Sequence, residues 1–378
     1  MELNKYFDNA TTSYPKPSQM CHTLAHYYDH PIGSYGRSAD EATLHATLAI
    51  EALRDDLSKW LGVEQAENIC FTDNATTAIN TILQGSDYPL GKVLVSPMEH
   101  NAVMRPLQRL IEKGVIQSYD IMPHDSDGRV NTEALMAMRP EGYDMAIVNM
   151  ESNVNGVKQP LYDIAQVCHS HNIRLLADAT QIPGSEPQDA HNWQPDFIAF
   201  TGHKGLLGPT GTGGFYVRQP QKLQPLTTGG NGVHSHTTDM QYEMPDRFIA
   251  GTPNTLGLVA WATAMKHIPQ YRISQNDLQA VLREIEQLHG IKLLQSLHPE
   301  HQGYLFSIVH ATMSPAFIGD TLRERYGILT RNGLHCAPLA HRTLGTLPHG
   351  AVRFSLSPYH SFQDMDYLIK SLYDLFGR

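Results

Sequence analysis

Short apolar runs that alternate with helical segments constrain the fold of this chain more than any other feature of its sequence. Such runs, rich in β-branched residues, occur at 69–72, 92–96, 145–149 and 173–178, and helical patterns separate them. Strands separated by helices form a mostly parallel sheet with helices on both faces, so we expect an α/β domain. Ligands of such sheets bind beyond the carboxyl ends of the strands, which is where functional side chains are expected.

The rest of the chain predicts a second, smaller domain. With 378 residues the chain can form two hydrophobic cores. We predict a large domain at 15–260 and a smaller C-terminal α+β domain at 261–378, which residues 1–14 are expected to join. Near the start of the chain, the loop at 31–38 predicts a helix N-cap at Ser38.

Composition and charge exclude several classes of protein. Hydrophobic residues make up 41% and charged residues 17%, as in ordinary globular proteins. Lys and Arg number 28 against 38 Asp and Glu, and the net charge of −10 disfavours nucleic acid and anionic membranes as partners. No apolar run is long enough to span a bilayer, and the N-terminus lacks the apolar region of a signal peptide, so we expect a cytoplasmic protein.

The cysteines and histidines predict neither a disulfide framework nor a metal site. The four cysteines have no CxxC spacing, which is typical of a reducing compartment. The 21 histidines include no HExxH motif. A metal site made of His335, Cys336, His341 and His349 is disfavoured, because no two of these residues have the spacing of known metal ligands.

A lysine and an aspartate follow two of the apolar runs. Lys204 comes after the run at 197–201 and lies among small and apolar residues, where desolvation lowers the pKa of a lysine and frees its amine for Schiff-base chemistry. Asp178 ends the run at 175–178. Each residue has an ordinary alternative, as a surface lysine or a helix-capping aspartate. Together they are what pyridoxal phosphate requires of its protein, an amine for the aldehyde and an acid for the pyridine nitrogen.

Several motifs resemble the class V aminotransferase-fold enzymes. The A-D-A-x-Q run at 177–181 and the T-G-H-K run at 201–204 carry the resemblance. The run R-N-G-L-H-C-A at 331–337 is similar to the cysteine desulfurase and selenocysteine lyase branch with a short cysteine loop. The resemblance extends from Tyr6 to the last helix. It implies the aspartate aminotransferase-like fold type I, pyridoxal 5′-phosphate as cofactor, and a homodimer with shared active sites.

The resemblance also implies a set of cofactor-binding residues. Lys204 would hold the cofactor, Asp178 would face the pyridine nitrogen, Gln181 would bind the ring hydroxyl, and His100 would stack on the ring and carry protons during catalysis. The start of a helix near Asp73 offers backbone N–H groups for a phosphate, although a plain N-cap is the alternative. The residues implied as phosphate contacts, the last of them from the partner subunit, are Ala75, Thr76, Thr201, His203 and Thr252. Ala75 replaces a hydroxyl residue of some relatives, which removes a side-chain donor.

The resemblance implies the substrate site and the thiol as well. Asn153, Arg331 and Arg353 would bind the substrate carboxylate, although a salt bridge to an unidentified acid is the alternative for Arg353, a cation within an apolar strand. Cys336 lies in a loop with the basic neighbours Arg331 and His335. Cationic neighbours favour the thiolate, the nucleophilic form of cysteine, so Cys336 is the candidate nucleophile. The alternative is a small buried residue.

Together these features predict a pyridoxal-phosphate-dependent cysteine desulfurase. Such an enzyme would move the sulfur of L-cysteine onto Cys336 as a persulfide, release L-alanine, and pass the sulfur to an acceptor protein. Selenocysteine lyase, β-elimination of sulfur and transamination stay open as alternatives on the same fold. A scaffold for sulfur transfer without catalysis is the non-enzyme alternative, which the presence of Lys204 and Asp178 disfavours.

Overall fold

The structure is a computed structural model that describes residues 3–36, 40–87, 90–232, 236–240 and 243–377. The predicted N-cap at Ser38 lies outside the described residues. The next helix begins at Glu41, and its N-cap is Asp40, whose side chain accepts a hydrogen bond from the backbone N–H of Thr43 at 2.9 Å.

Helices and strands alternate along the chain. The helices are α1 (Ser18–Asp29), α2 (Glu41–Leu61), α3 (Ala75–Gly85), α4 (Asn101–Glu112), α5 (Thr132–Ala137), α6 (Leu161–Ser170), α7 (Ala190–Trp193), α8 (Thr255–Met265), α9 (Gln275–Glu286), α10 (Pro315–Tyr326), α11 (Pro338–Thr343) and α12 (Phe362–Phe376). The strands are β1 (Ile69–Thr72), β2 (Lys92–Val95), β3 (Ser118–Ile121), β4 (Met145–Asn149), β5 (Arg174–Asp178), β6 (Phe197–Thr201), β7 (Gly213–Val217), β8 (Ile291–Leu294), β9 (Leu305–His310), β10 (Arg331–Gly333) and β11 (Ala351–Ser355).

A large sheet forms the predicted α/β architecture. Its strand order is β1-β7-β6-β5-β4-β2-β3; β7 runs antiparallel to β1 and β6, and the other neighbouring strands pair in parallel. Helices cover both faces: Leu175 and Ala177 of β5 belong to a core with α2, α6 and α8, whereas Leu176 belongs to a core with α3 and α4. Alternate side chains of a strand point to opposite faces, so an all-apolar strand is buried on both sides. The mostly parallel sheet expected from the sequence is confirmed.

A smaller antiparallel sheet follows, with the order β10-β11-β9-β8. Its core includes residues of α9, α10 and α12, together with Phe7 from the N-terminal segment. Tyr6 and Asp8 form isolated β-bridges with Leu329 and Ser355. The N-terminal segment thus contacts the smaller sheet, and the division into domains at 15–260 and at 261–378 with 1–14 stays a prediction.

Candidate active site

A cleft lies beyond the carboxyl ends of the central parallel strands, with about 530 Å³ of empty space that includes its opening to solvent. β5 ends at Asp178 and β6 ends at Thr201, and the two strands are parallel neighbours, so their ends meet at one edge of the sheet. The cleft brings together most of the cofactor residues that the resemblance implies. They are Ala75, Thr76, His100, Asp178, Gln181, Thr201, His203 and Lys204.

Lys204 and Asp178 line this cleft with shifted pKa values. Lys204 follows β6, and burial lowers the pKa of its amine to about 8, with a further contribution from the positive charges of Arg353 and Arg331. Asp178 is buried and accepts a hydrogen bond from the backbone N–H of Thr180 at 2.9 Å. Burial raises the pKa of the Asp178 carboxyl. Burial thus disfavours the charged form of Asp178, and a cationic partner within the cleft would stabilise that form.

Two histidines line the cleft in the neutral form. His100 is the N-cap of α4, and its Nδ1 accepts a hydrogen bond from the backbone N–H of Ala102 at 3.0 Å. Burial, with the positive charge of Lys204 as the next cause, lowers the pKa of His100 to about 4. Burial and Lys204 lower the pKa of His203 to about 4 as well. A neutral ring at His100 suits stacking. With a pKa of about 4 the ring does not titrate near neutral pH, and proton transfer by His100 stays a prediction.

The N-terminus of α3 forms one end of the cleft. The side chain of the N-cap Asn74 accepts from the backbone N–H of Thr77 at 2.9 Å, which leaves the N–H groups of Ala75 and Thr76 without intrahelical acceptors. Gly213 lets β7 approach this helix start, since a Cβ there would lie 2.7 Å from the Cα of Asn74. Helix N-termini with free N–H groups bind phosphate well.

Thr252 is the implied cofactor residue that a single chain does not bring to the cleft. It lines a different cavity, together with Tyr35 and Asp73. The resemblance implies that Thr252 contacts the cofactor of the other subunit of a dimer. The position of Thr252 within one chain does not test that prediction.

Two arginines face each other beside the cleft. Arg331 of β10 and Arg353 of β11 are partners in the antiparallel register. The buried Arg353 donates from Nη2 to Asp8 Oδ1 at 2.7 Å and from Nη1 to the backbone carbonyl of Asn153 at 3.0 Å. The alternative of a salt bridge for Arg353 is therefore realised, with Asp8 as the acid. Arg331 donates to Thr11 Oγ1 at 2.8 Å, and this hydroxyl donates in turn to Asp8 Oδ1 at 2.7 Å, whereas the ion pair with Asp8 is formed by Arg353.

The net positive charge of this pair favours the binding of a second anion. Like charges in opposed positions of a sheet destabilise each other unless an anion lies between them. Within the described chain, the Nε of Arg353 and the Oδ1 of Asn153 are buried without a hydrogen-bond partner. Asn153 also lines the cleft, so these atoms extend the site from the cofactor residues toward the arginines.

Cys336 is exposed at the edge of this site, in the cysteine loop (residues 334–337) between β10 and α11. The Nη2 of Arg331 lies 3.8 Å from the Cys336 Sγ. The backbone N–H of Asn101 donates to the carbonyl of Cys336 at 2.8 Å, which places the loop next to His100. The alternative of a small buried residue is therefore wrong for Cys336, because its exposure contrasts with the buried Cys70 and Cys168.

Sequence reasoning did not single out two buried acids near the cleft. Glu99 accepts from Ser96 Oγ at 2.6 Å and from the backbone N–H of Asn149 at 2.7 Å, and burial raises its pKa to about 8. Glu151 lines the cleft, and burial raises its pKa to about 8 as well. The available signal was an acid shortly after an apolar strand, β2 for Glu99 and β4 for Glu151.

The N-terminal segment contributes residues that were also missed. The backbone carbonyl of His203, directly before Lys204, accepts hydrogen bonds from Ser13 N at 3.0 Å and from Lys16 Nζ at 2.7 Å. Gln181 donates from Nε2 to the carbonyl of Ala10 at 3.2 Å. The segment therefore holds the peptide that carries Lys204, and no local pattern could have shown this contact across the chain.

Two further findings concern the described residues as a whole. They contain no group of three or more His, Cys, Asp or Glu side chains arranged to hold a metal ion. None of their helices combines the length and the apolar character needed to cross a membrane.

Known proteins resemble this chain over nearly its whole length. The cysteine desulfurases of Shigella sonnei (strain Ss046) and Escherichia coli (strain K12 / DH10B) are each 28% identical over 381 residues, which covers 97% of this chain and 92% of the relative. The apo structure of a cysteine desulfurase from Thermococcus onnurineus NA1 has a TM-score of 0.89 at 24% identity and covers 98% of this chain and 94% of its own.

A second solved structure, the cysteine desulfurase CsdA from Escherichia coli, has a TM-score of 0.86 at 24% identity, with 98% of this chain and 95% of the other covered. These likenesses confirm the expected fold type I. The family model for aminotransferase class-V matches residues 5–368. The chain therefore belongs to the aminotransferase class-V family, a family of pyridoxal-phosphate-dependent enzymes.

Proposed function

We propose that this protein is a cysteine desulfurase that moves the sulfur of L-cysteine onto Cys336 and releases L-alanine. The observation that carries the proposal is the exposed thiol of Cys336 beside Arg331, at the edge of the cleft that contains Lys204 and Asp178. The names of the most similar relatives agree with it. A selenium substrate would fit the same site, so the preference between cysteine and selenocysteine is a matter for experiment.

The side chains that line the cleft suit pyridoxal 5′-phosphate in their chemistry. The amine of Lys204 would hold the aldehyde, Asp178 would pair with the pyridine nitrogen, and Gln181 and the neutral ring of His100 would contact the ring system. The residues proposed for the phosphate are Ala75, Thr76, Thr201 and His203. When bound, the cofactor supplies a sink for the electron pair released on the substrate.

The arginine pair supports binding of an amino-acid carboxylate. Asp8 pairs with Arg353, and within the described residues Arg331 forms no ion pair, so a substrate carboxylate would neutralise the charge of Arg331. The free polar atoms of Arg353 and Asn153 lie on the same side. Arginine binds a carboxylate with two parallel hydrogen bonds, which fixes the orientation of the substrate.

Cys336 and Lys204 are the side chains of this protein that would react with the bound substrate. The Cys336 thiolate attacks the substrate sulfur, so that an S–S bond forms while the Cβ–S bond breaks, and the bonding pair stays with the carbon. Lys204 removes and returns protons at Cα and Cβ, which completes L-alanine. A reductant or an acceptor protein would take the sulfur from Cys336, a step for which exposure of the loop is needed.

The assembly and the domain division belong to the same proposal. We place the cleft in a large domain at 15–260, closed by a smaller domain made of 261–378 and 1–14. A homodimer would bring Thr252 of one chain to the phosphate end of the other. The exposed apolar side chains Leu44 and Leu48 on α2 offer a surface for such a contact.

A single comparison tests the proposal. Purified protein is mixed with cysteine, selenocysteine or alanine, its absorbance is recorded before and after, and alanine and sulfide are measured. Cys336→Ala should abolish alanine release from cysteine and keep the absorbance of the bound cofactor. Mass analysis after turnover without reductant should find one added sulfur on the peptide with Cys336. Undiminished desulfuration by Cys336→Ala would assign the protein to β-elimination instead.

A further inference from the structure

The cysteine loop has an unusual backbone at two consecutive positions. The φ angle is 50° at His335 and 56° at Cys336, in the left-handed region that residues with a Cβ rarely adopt. Such a conformation persists only where surrounding contacts hold it in place. The direction of the Cys336 side chain therefore depends on whatever fixes the backbone of these two residues.

On the side of the cleft, two hydrogen bonds hold the loop by its carbonyl groups. Asn153 Nδ2 donates to the carbonyl of His335 at 2.8 Å, and the backbone N–H of Asn101 donates to the carbonyl of Cys336 at 2.8 Å. Both donors belong to segments that follow strands of the large sheet, Asn101 after β2 and Asn153 after β4. Neither of these hydrogen bonds restrains the ring of His335.

On the opposite side, a chain of hydrogen bonds holds the ring of His335. The carbonyl of Arg331 can only accept, so His335 Nε2 carries the proton of the 3.1 Å contact. His335 Nδ1 must then accept from His341 Nε2, at 3.2 Å, and His341 Nδ1 accepts from the hydroxyl of Thr346, at 2.7 Å. Burial lowers the pKa of His335 to about 2 and that of His341 to about 4, so both rings are neutral, as this order of donors requires.

The chain links the thiol to its cationic neighbour. His335 precedes Cys336, and its ring bonds the backbone of Arg331, whose guanidinium lies 3.8 Å from the Cys336 Sγ. His341 is fully buried in α11 and touches neither the cleft nor the thiol. We propose that His341 is a positioning residue, which orients the thiol of Cys336 toward the substrate by holding the ring of His335.

The proposal rests on the proposed desulfurase function, because it assigns a purpose to the direction of the thiol. Loss of the His341 donor would leave His335 Nδ1 buried and unsatisfied, and one such group is enough to change a conformational equilibrium by about tenfold. The left-handed loop would then relax, while the cofactor residues at the strand ends would stay in place.

Two substitutions of His341 separate its hydrogen bond from its bulk. His341→Leu removes the donor, whereas His341→Gln can place an amide N–H where Nε2–H lies. In the cofactor-loaded enzyme, His341→Leu should lower kcat for alanine release by about tenfold or more and change KM by less than about twofold. Amide hydrogen exchange in residues 331–337 should become faster, and the absorbance of the cofactor should not change. His341→Gln should keep most of the wild-type kcat and most of the slow amide exchange in residues 331–337.

A buried histidine elsewhere serves as the matched control. His360 is fully buried against Phe7, and its Nδ1 accepts from the backbone N–H of Ser357 at 2.9 Å. His360→Leu should cost stability and leave the exchange of residues 331–337 unchanged. If His341→Leu does not fold, Thr346→Val removes the donor to His341 Nδ1 and should give the same two effects, at smaller size.

The outcomes separate this proposal from the proposed function. Wild-type kcat and wild-type exchange in His341→Leu would overturn the positioning role, and so would equal effects in His360→Leu. Absence of a persulfide on Cys336 in the wild-type enzyme would overturn the desulfurase function instead. The exchange of residues 331–337 would still test whether His341 holds the loop.

Discussion

Glu99 offers a sharp test of how burial controls ionisation near the cleft. Its side chain is fully buried, and one carboxyl oxygen accepts from Ser96 and from the backbone of Asn149. The other oxygen, Oε2, has no hydrogen-bond partner in the described chain. Glu99→Gln keeps the accepting oxygen and replaces the second by an amide nitrogen, so it imitates the protonated acid.

The structure sets the magnitude of the effect. Burial raises the pKa of Glu99 from 4.5 to about 8, so between these values the folded chain holds a proton that the unfolded chain has lost. The free energy of unfolding therefore falls as the pH rises, by about 1.4 kcal/mol for each pH unit. The contribution of Glu99 is fully present below pH 4.5 and is lost as the pH rises through about 8.

Glu99→Gln removes this slope. Urea unfolding of the cofactor-free protein at pH 5.5, 6.25 and 7 should show a free energy that falls less steeply than in wild type, by about 1.4 kcal/mol per unit. Because wild type begins to lose this contribution above pH 4.5, the variant should exceed wild type by about 1 kcal/mol at pH 5.5 and by about 3 kcal/mol at pH 7. Glu133→Gln, at an exposed site on α5, is the matched control and should follow wild type. Parallel curves for Glu99→Gln and wild type would show that the buried carboxyl is ionised in the folded chain.

Two other predictions concern the cofactor. Lys204→Ala should abolish the borohydride-reducible link between protein and pyridoxal phosphate, and a reduced pyridoxyl-lysine in the same peptide would contradict the role of Lys204. Thr252→Val should weaken cofactor retention in a dimer of unchanged size, as measured by equilibrium dialysis and sedimentation. A fully active monomer would contradict the shared site.

The strand ends that form the cleft were predictable because their signals are local. An apolar run of four or five residues predicts a buried strand, and the polar residue that ends it marks the carboxyl edge of the sheet. Asp178 follows this rule, whereas Lys204 lies three residues after the end of β6 and His100 is the N-cap of α4, in the connection that follows β2. Parallel pairing then brings side chains from distant parts of the sequence to one edge.

The contacts of the arginines were not predictable, because their partners are remote in the sequence. Asp8 and Arg353 are 345 positions apart, and nothing local at Asp8 indicates a buried cation. The cysteine loop is a similar case. Its sequence shows a thiol next to basic residues, but the left-handed backbone and the order of donors from Thr346 to His335 follow from packing around α11.

The pKa of Lys204 shows how the local and the remote effects combine. Apolar neighbours in the sequence predict a lowered pKa, and burial is indeed its main cause. The next causes are Arg353, which lowers the pKa, and Asp178, which raises it, followed by Arg331, which lowers it. Both arginines belong to the smaller sheet, so the position of that sheet helps to set the proton affinity of a lysine in the large one. Any movement that separates the two sheets removes positive charge from Lys204 and raises its pKa, whereas closure makes its amine a weaker base.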